Sequence, residues 1–269
     1  MTAALFPIAA SEHAGEVDTI MFIVLSVIAL LWLGWTSVFV YSLVKFRASK
    51  HPDANPDAPK SRAAFWVAFL VALIECVLLV AFSIPFWERQ VEAVPTADMN
   101  PIQVRVVAQQ YTWNIHYPGA DGVFGKTAIK FMDDGSNPVG LDPDDAQGKD
   151  DIVKRNQLYL PVNRTALLQL TTKDVIHSFA VPEFRVKRDI IPGMVVPMMF
   201  KPTLTTTDFQ GLKNDDQRTF EIACSQLCGI MHYAMRGFVY VLTEEEFETW
   251  LVDNAPKEVT EEDEFWDEF

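Results

Sequence analysis

A chain of 269 residues that is 49% hydrophobic can supply a membrane segment and one globular domain. Its net charge of −14 argues against nucleic acid as a partner and for a basic one. Three cysteines exclude a disulfide framework, no Cys-x-x-Cys-His run is present to attach a c-type haem, and Met1 to Gly15 lacks the basic start of a cleaved signal peptide.

After an outer segment, 1–18, the run 19–46 is apolar and uncharged until Lys45, longer than the roughly 20 residues a bilayer core demands. A second apolar run, 63–87, carries one charge, Glu75, and one cysteine, Cys76, read as inert packing. The connecting loop, 47–62, holds Arg47, Lys50, Lys60 and Arg62, whereas the opposite flanks carry Glu12, Glu16, Asp18 and Glu88. The excess of basic residues makes the loop cytoplasmic, so both chain ends lie outside. The lipid bilayer is therefore the first expected partner.

Beyond residue 100 the pattern changes to short alternating runs. Ile102–Ala108, Tyr111–Tyr117, Asn156–Leu160, Ala166–Leu170, Val175–Val181, Met194–Phe200, Phe220–Ala223 and Gly237–Leu242 read as strands. Turn signals at Pro118-Gly119, Pro161-Val162-Asn163, Pro192-Gly193 and Gly229 separate them. Residues 100–250 thus form an all-β sandwich or barrel, followed by an acidic tail, 251–269. The stretch 131–151, with Asp133, Asp134, Asp142, Asp144, Asp145, Asp150 and Asp151, reads as a surface loop. Those aspartates are either a solvated face or a docking surface for a basic protein.

Cys224, Cys228, His232 and Met235 fall within a dozen residues, and Gly229 follows the second thiol. Thiolates with imidazole suit copper, zinc or an iron–sulfur cluster, and the thioether favours copper, for which Met is a familiar weak axial ligand. His177 is the best candidate for a second imidazole. Taken singly, each has a plainer reading: the cysteines as buried thiols, half a zinc site or a disulfide, and His177 and Met235 as core residues.

The set resembles the binuclear copper centre, CuA, of subunit II of the haem–copper oxidases (cytochrome c oxidase). The supporting stretches are the membrane hairpin, Gln110-Tyr111-Thr112-Trp113, Val175-Ile176-His177-Ser178-Phe179 and Phe184 to Gly193. The resemblance implies a cupredoxin-type Greek-key domain on the periplasmic side of a bacterial-type inner membrane. It implies that Cys224 and Cys228 bridge two copper ions and that His177 and His232 each ligate one. Met235 would serve one copper as axial ligand, and the main-chain carbonyl of Gln226 the other. An apolar collar over the metals would draw on Met198, Met199 and Phe200 or Tyr233.

The implied function is to accept electrons from cytochrome c or another basic donor and pass them to haem in partner subunit I, where oxygen becomes water. Oxidase subunit I and the other oxidase subunits are the implied partners. A copper subunit of a nitric-oxide reductase and a non-enzyme membrane-anchored copper protein are the alternatives.

Three positions depart from the family pattern. Tyr111 stands where a Trp-x-Trp pair has its electron-receiving first Trp, and Trp113 stands at the second. Gln226 stands where many relatives have a Glu that helps bind magnesium or manganese at the border with subunit I. A neutral amide is a weak ligand for a hard cation, so that ion is expected to be absent or held by subunit I alone. Glu75 lies about 18 Å into its helix, deeper than the carboxylate that feeds a proton channel in the family. It is read as a protonated group bonded to a neighbouring subunit, with proton uptake as the alternative.

Overall fold

The computed structural model describes residues 6–52, 62–89 and 100–256, which fall into two units. The acidic tail beyond 256 and the middle of the basic loop lie outside the described residues.

One unit is helical. Helix α1 is Ala14–Lys45 and helix α2 is Ala63–Trp87, with 32 and 25 residues. At 1.5 Å per residue they run about 48 and 37 Å, both beyond a hydrocarbon core of about 30 Å. A core helix of a water-soluble protein buries its apolar side chains, but the most apolar stretches of both helices bury none within this chain. Polar side chains on α1 are satisfied locally: the hydroxyls of Thr19, Ser26, Ser37 and Ser42 donate to the carbonyl four residues back at 2.7–2.8 Å. That arrangement keeps those four hydroxyl hydrogens bonded in lipid. In α2 the segment Leu79–Ser83 widens to a π-turn just ahead of Pro85. Proline has no N–H and crowds the carbonyl four residues back, and a π-turn relieves both problems.

The other unit is a two-layer β-sandwich of the cupredoxin type. Its strands are β1 Ile102–Gln109, β2 Thr112–Tyr117, β3 Ile152–Arg155, β4 Gln157–Pro161, β5 Ala166–Thr172, β6 His177–Val181, β7 Val186–Ile190, β8 Val196–Phe200, β9 Phe220–Cys224 and β10 Arg236–Leu242. One sheet has the order β3-β2-β1-β5-β8 and the other β4-β10-β9-β6-β7. The pairs β1–β5 and β4–β10 are parallel, so the chain crosses between layers instead of meandering. Period-two alternation turns Val104, Val106, Trp113, Ile115, Leu168, Leu170, Phe179, Ile222 and Val239 inward, where all are fully buried. Trp113 meets Phe179 edge-on at 5.6 Å, and Phe220 stacks on Phe209 at 4.3 Å. Phe209 comes from a short helix, α3 Thr206–Lys213, and a last helix, α4 Glu244–Asn254, brings Phe247. The segment ahead of α1 joins this unit: Ala10 donates to Glu183 O and accepts from Thr203 N–H, both at 2.9 Å.

Several expectations need correction. Strands β3 and β7 were not expected; β3 has four residues, and β7 interrupts its apolar ends with Lys187, Arg188 and Asp189. Helices α3 and α4 were missed, although both start with a capping box, Thr205 with Asp208 and Thr243 with Glu246. The expected strands at Tyr111, Val175 and Met194 begin one or two residues later. At Val175 the cause is local: its N–H donates to Asp174 Oδ1 at 2.7 Å, which removes it from the sheet ladder. The stretch 131–151 is more than a solvated acidic loop. Asp151 is buried against His116 at 2.6 Å, Asp150 accepts from Ala120 and Asp121 N–H, and Asp133 accepts from Gly135 and Ser136 N–H. Asp134 pairs with Lys173 and Asp145 with Lys126. These five aspartates carry internal structure.

Candidate metal centre

Three segments meet at one end of the sandwich. Strands β1 and β2 pair up to Gln109 and Thr112, so Gln110 and Tyr111 form the two-residue tip of their hairpin. Strand β6 starts at His177, and Phe179 on it pairs with Cys224 at the end of β9. The connection from β9 to β10, residues 225–235, then carries Gln226, Cys228, His232 and Met235. His177 is 47 residues from Cys224 in sequence, and the sheet pairing of β6 with β9 brings them together.

The six expected donors converge. The sulfurs of Cys224 and Cys228 lie 3.8 Å apart. His177 Nδ1 is 3.9 Å from the Cys224 sulfur, and His232 Nδ1 is 3.6 Å from that of Cys228. The Gln226 carbonyl lies 3.2 Å from Cys224 Sγ, and Met235 Sδ lies 3.8 Å from Cys228 Sγ. Each thiol thus has an imidazole nitrogen and one weaker donor beside it.

The tautomer of His177 follows from its other side. Nε2 lies 2.8 Å from Asp174 Oδ1, and since a carboxylate only accepts, Nε2 carries a proton, which leaves Nδ1 facing the Cys224 sulfur. Asp174 is held in turn by Val175 N–H on Oδ1 and by Gln110 N–H on Oδ2, both at 2.7 Å. Burial raises the Asp174 carboxyl, but these N–H groups and His177 outweigh it and hold it below the usual carboxylate range. Burial likewise opposes charge on His177, yet Cys224 and Asp174 raise its pKa. For Cys224, burial is outweighed by hydrogen bonds, first from His177, and its thiol falls to about 6. Burial and the neighbouring Cys224 push Cys228 up to about 11. In the metal-free pair, one sulfur is ready to ionise and resists a second charge beside it.

The remaining expected residues also have definite positions. Tyr111 packs partly buried against the ligand loop: a Cβ on Gly229 would lie 2.5 Å from its hydroxyl. Gly229 has φ +138°, a backbone region in which only glycine sits without strain. Trp113 is fully buried and meets the His177 ring edge-on at 6.2 Å. The Gln226 side chain is exposed. Glu75 and Cys76 are exposed on α2. The expected collar is corrected in part: Met198 and Phe200 are buried in the core, whereas Tyr233 makes an apolar rim on the ligand loop with Leu227 and Ile230, at 80%, 80% and 92% exposure. Asp174 was missed in the sequence; its signal was an acidic residue three positions ahead of a candidate ligand His.

The sequence matches the family described as cytochrome C oxidase subunit II, periplasmic domain, over residues 102–241. The chain belongs to that family. An alternative cytochrome c oxidase subunit 2 of Bradyrhizobium diazoefficiens is 31% identical over 212 residues, covering 78% of this chain and 70% of that one. The cytochrome c oxidase subunit 2 of Cereibacter sphaeroides is 28% identical over 260 residues, covering 91% of this chain and 78% of that one. Among solved structures, the periplasmic domain of cytochrome oxidase subunit II of Bradyrhizobium japonicum aligns at 29% identity and a TM-score of 0.40, over 60% of this chain and 96% of that one. As a member of the cytochrome c oxidase subunit II family, the chain is a subunit of an oxidoreductase complex, membrane-anchored by two helices and bearing a periplasmic domain. The family implies a copper centre, and the donor set fits one. Two thiols, two imidazoles and a thioether are soft or borderline donors, and the Gln226 carbonyl brings the set to six, whereas tetrahedral zinc takes four.

Proposed function

We propose that this chain is the electron-accepting subunit of a proton-pumping terminal oxidase, with a binuclear copper centre on Cys224, Cys228, His177, His232, Met235 and the Gln226 carbonyl. The observation that carries the reading is the doubled donor set: two sulfurs 3.8 Å apart, each with its own imidazole nitrogen and a further weak donor. A copper pair held by these residues would supply a one-electron carrier.

The chain's own residues prepare that site. A cation bound there would displace the thiol protons of Cys224 and Cys228 to solvent, that of the lowered Cys224 first. Asp174 fixes the tautomer and direction of His177. Trp113 buttresses the same ring from the core, so the imidazole has one seat on each side. The rim of Leu227, Ile230 and Tyr233 offers a dry contact surface to a partner, a basic donor such as cytochrome c or subunit I with its haem. Tyr111, against the ligand loop, is the receiving aromatic, and Trp113 lies behind it. The exposed Gln226 amide leaves any hard cation at that border to subunit I. Glu75 faces outward on α2, where a neighbouring subunit in a bacterial inner membrane can hydrogen-bond to it.

The test is the optical and EPR spectrum of the full chain, solubilised in detergent and loaded with copper. A purple, mixed-valence species with two coppers per chain is expected. A colourless protein that takes one zinc in preference would refute the reading.

A further inference from the structure

Gln110 makes two contacts that none of the ligand residues makes. Its main-chain N–H donates to Asp174 Oδ2 at 2.7 Å, and Asp174 in turn holds His177. Its side-chain Nε2 donates to the carbonyl of Cys228 at 2.6 Å. The direction of the amide is settled by its partner, since a carbonyl accepts only from an N–H and the Gln oxygen could not bond there. One residue therefore bonds to the loop ahead of His177 and to the loop that carries Cys228, two segments far apart in sequence.

The position of Gln110 explains why it is free to do this. At the two-residue tip of the β1–β2 hairpin its N–H and side chain lie beyond the sheet ladder, which ends at Gln109 and Thr112. The loop comes close because residue 229 is glycine: a Cβ there would stand 2.8 Å from Gln110 Nε2 and 2.5 Å from the Tyr111 hydroxyl. Within the ligand loop, the Cys228 carbonyl lies between the second thiol and Gly229, where the backbone has no regular partner. An N–H aimed at that carbonyl fixes the peptide plane after Cys228, and hence the direction of its Cα–Cβ bond.

We infer that Gln110 is a positioning residue for the metal centre, clamping the Cys228 peptide with its side chain and the His177–Asp174 pair with its main chain. The inference rests on the copper reading above. Gln110 touches no donor atom, and it acts through the spacing of the two sulfurs relative to His177.

The test compares the full chain in detergent with Gln110→Met and Gln110→Glu. Met fills the space without a donor. Glu keeps the shape but turns an oxygen toward the Cys228 carbonyl. The main-chain half of the clamp survives in both variants. Three readouts apply: copper release to a chelator, the EPR copper hyperfine pattern, and the thermal midpoint of the metal-free chain. Expected are an altered hyperfine pattern, release about tenfold faster in Gln110→Met and faster still in Gln110→Glu, and an unchanged metal-free midpoint. A space-filling role predicts instead that Gln110→Glu matches the parent. That result, or a lowered metal-free midpoint with an unaltered spectrum, overturns the inference. If the parent chain takes up no copper pair, the functional reading fails first and the inference falls with it. A parent with normal copper and variants identical to it sinks the inference alone.

Discussion

Replacing Asp174 with asparagine tests how the site is held, because the structure says which hydrogen bonds the amide cannot keep. The carboxylate accepts from His177 Nε2, Val175 N–H and the Thr172 hydroxyl on Oδ1, and from Gln110 N–H on Oδ2. An asparagine has one oxygen and one NH2. With the oxygen toward His177, the NH2 confronts Gln110 N–H; turned over, it confronts His177 and Val175. Either way a donor faces a donor. An unsatisfied buried donor costs about 1–3 kcal/mol. The Asp174 side chain is 30% exposed, so water relieves part of this and about 1–2 kcal/mol remains. Loss of the negative charge behind the imidazole adds to it, and removing the outer partner of a ligating histidine lowers metal affinity by about 10–100-fold. Copper affinity of Asp174→Asn, measured by chelator competition on the detergent-solubilised chain, should fall within that range with the fold intact. A change under about twofold, with an unaltered copper spectrum, would mean that the carboxylate does not orient His177, and the reasoning fails.

Gly229→Ala should disturb both the φ of +138° and the approach of Tyr111 and Gln110, lowering copper occupancy while the circular dichroism of the sandwich stays the same; full occupancy would show that the loop has room the structure denies. Asp151→Ala leaves the fully buried His116 without its 2.6 Å hydrogen-bond partner, and an unsatisfied buried polar group costs about 1–3 kcal/mol. Its signature is a lower denaturant midpoint, and a change confined to the salt dependence of donor oxidation would instead make Asp151 part of a docking surface. For the metal-free chain, Asp133, Asp145 and Asp174 have depressed pKa values, so their contribution is present above the ordinary carboxylate range of about 4 and is lost as pH falls through their lower folded values. Raised His177 contributes below about 6.5 and loses this as pH rises through its folded value, while Cys224 contributes above its usual 9.0 and loses this as pH falls through about 6. Thermal midpoints should therefore drop on acidification below about pH 4, less steeply in Asp174→Asn, and a midpoint that climbs there contradicts the assignment.

The membrane hairpin was legible because a bilayer imposes a length and a composition that few other environments require. The ligand loop was legible because Cys224, Cys228, His232 and Met235 sit on one connection, where spacing limits what the side chains can reach. Strand β7 was obscured because Lys187, Arg188 and Asp189 fill its middle, and helices α3 and α4 because they are short, with 8 and 11 residues, and bury few apolar side chains to mark a helical period. The aspartates of 131–151 looked alike in sequence; only the folded loop separates buried Asp151 from Asp133, which caps a turn.

Sequence by itself determined the types of donor and the local order of four of them, since covalent spacing and side-chain chemistry do not depend on the fold. It could name His177 only as a candidate. The tertiary structure decided that His177 and Cys224 meet, because that contact is made by pairing β6 with β9 and not by anything near either residue. It likewise decided that the β1–β2 hairpin tip reaches both Asp174, behind the imidazole, and the Cys228 peptide. These are hydrogen bonds between segments 64 and 118 residues apart, and only a closed sandwich fixes them.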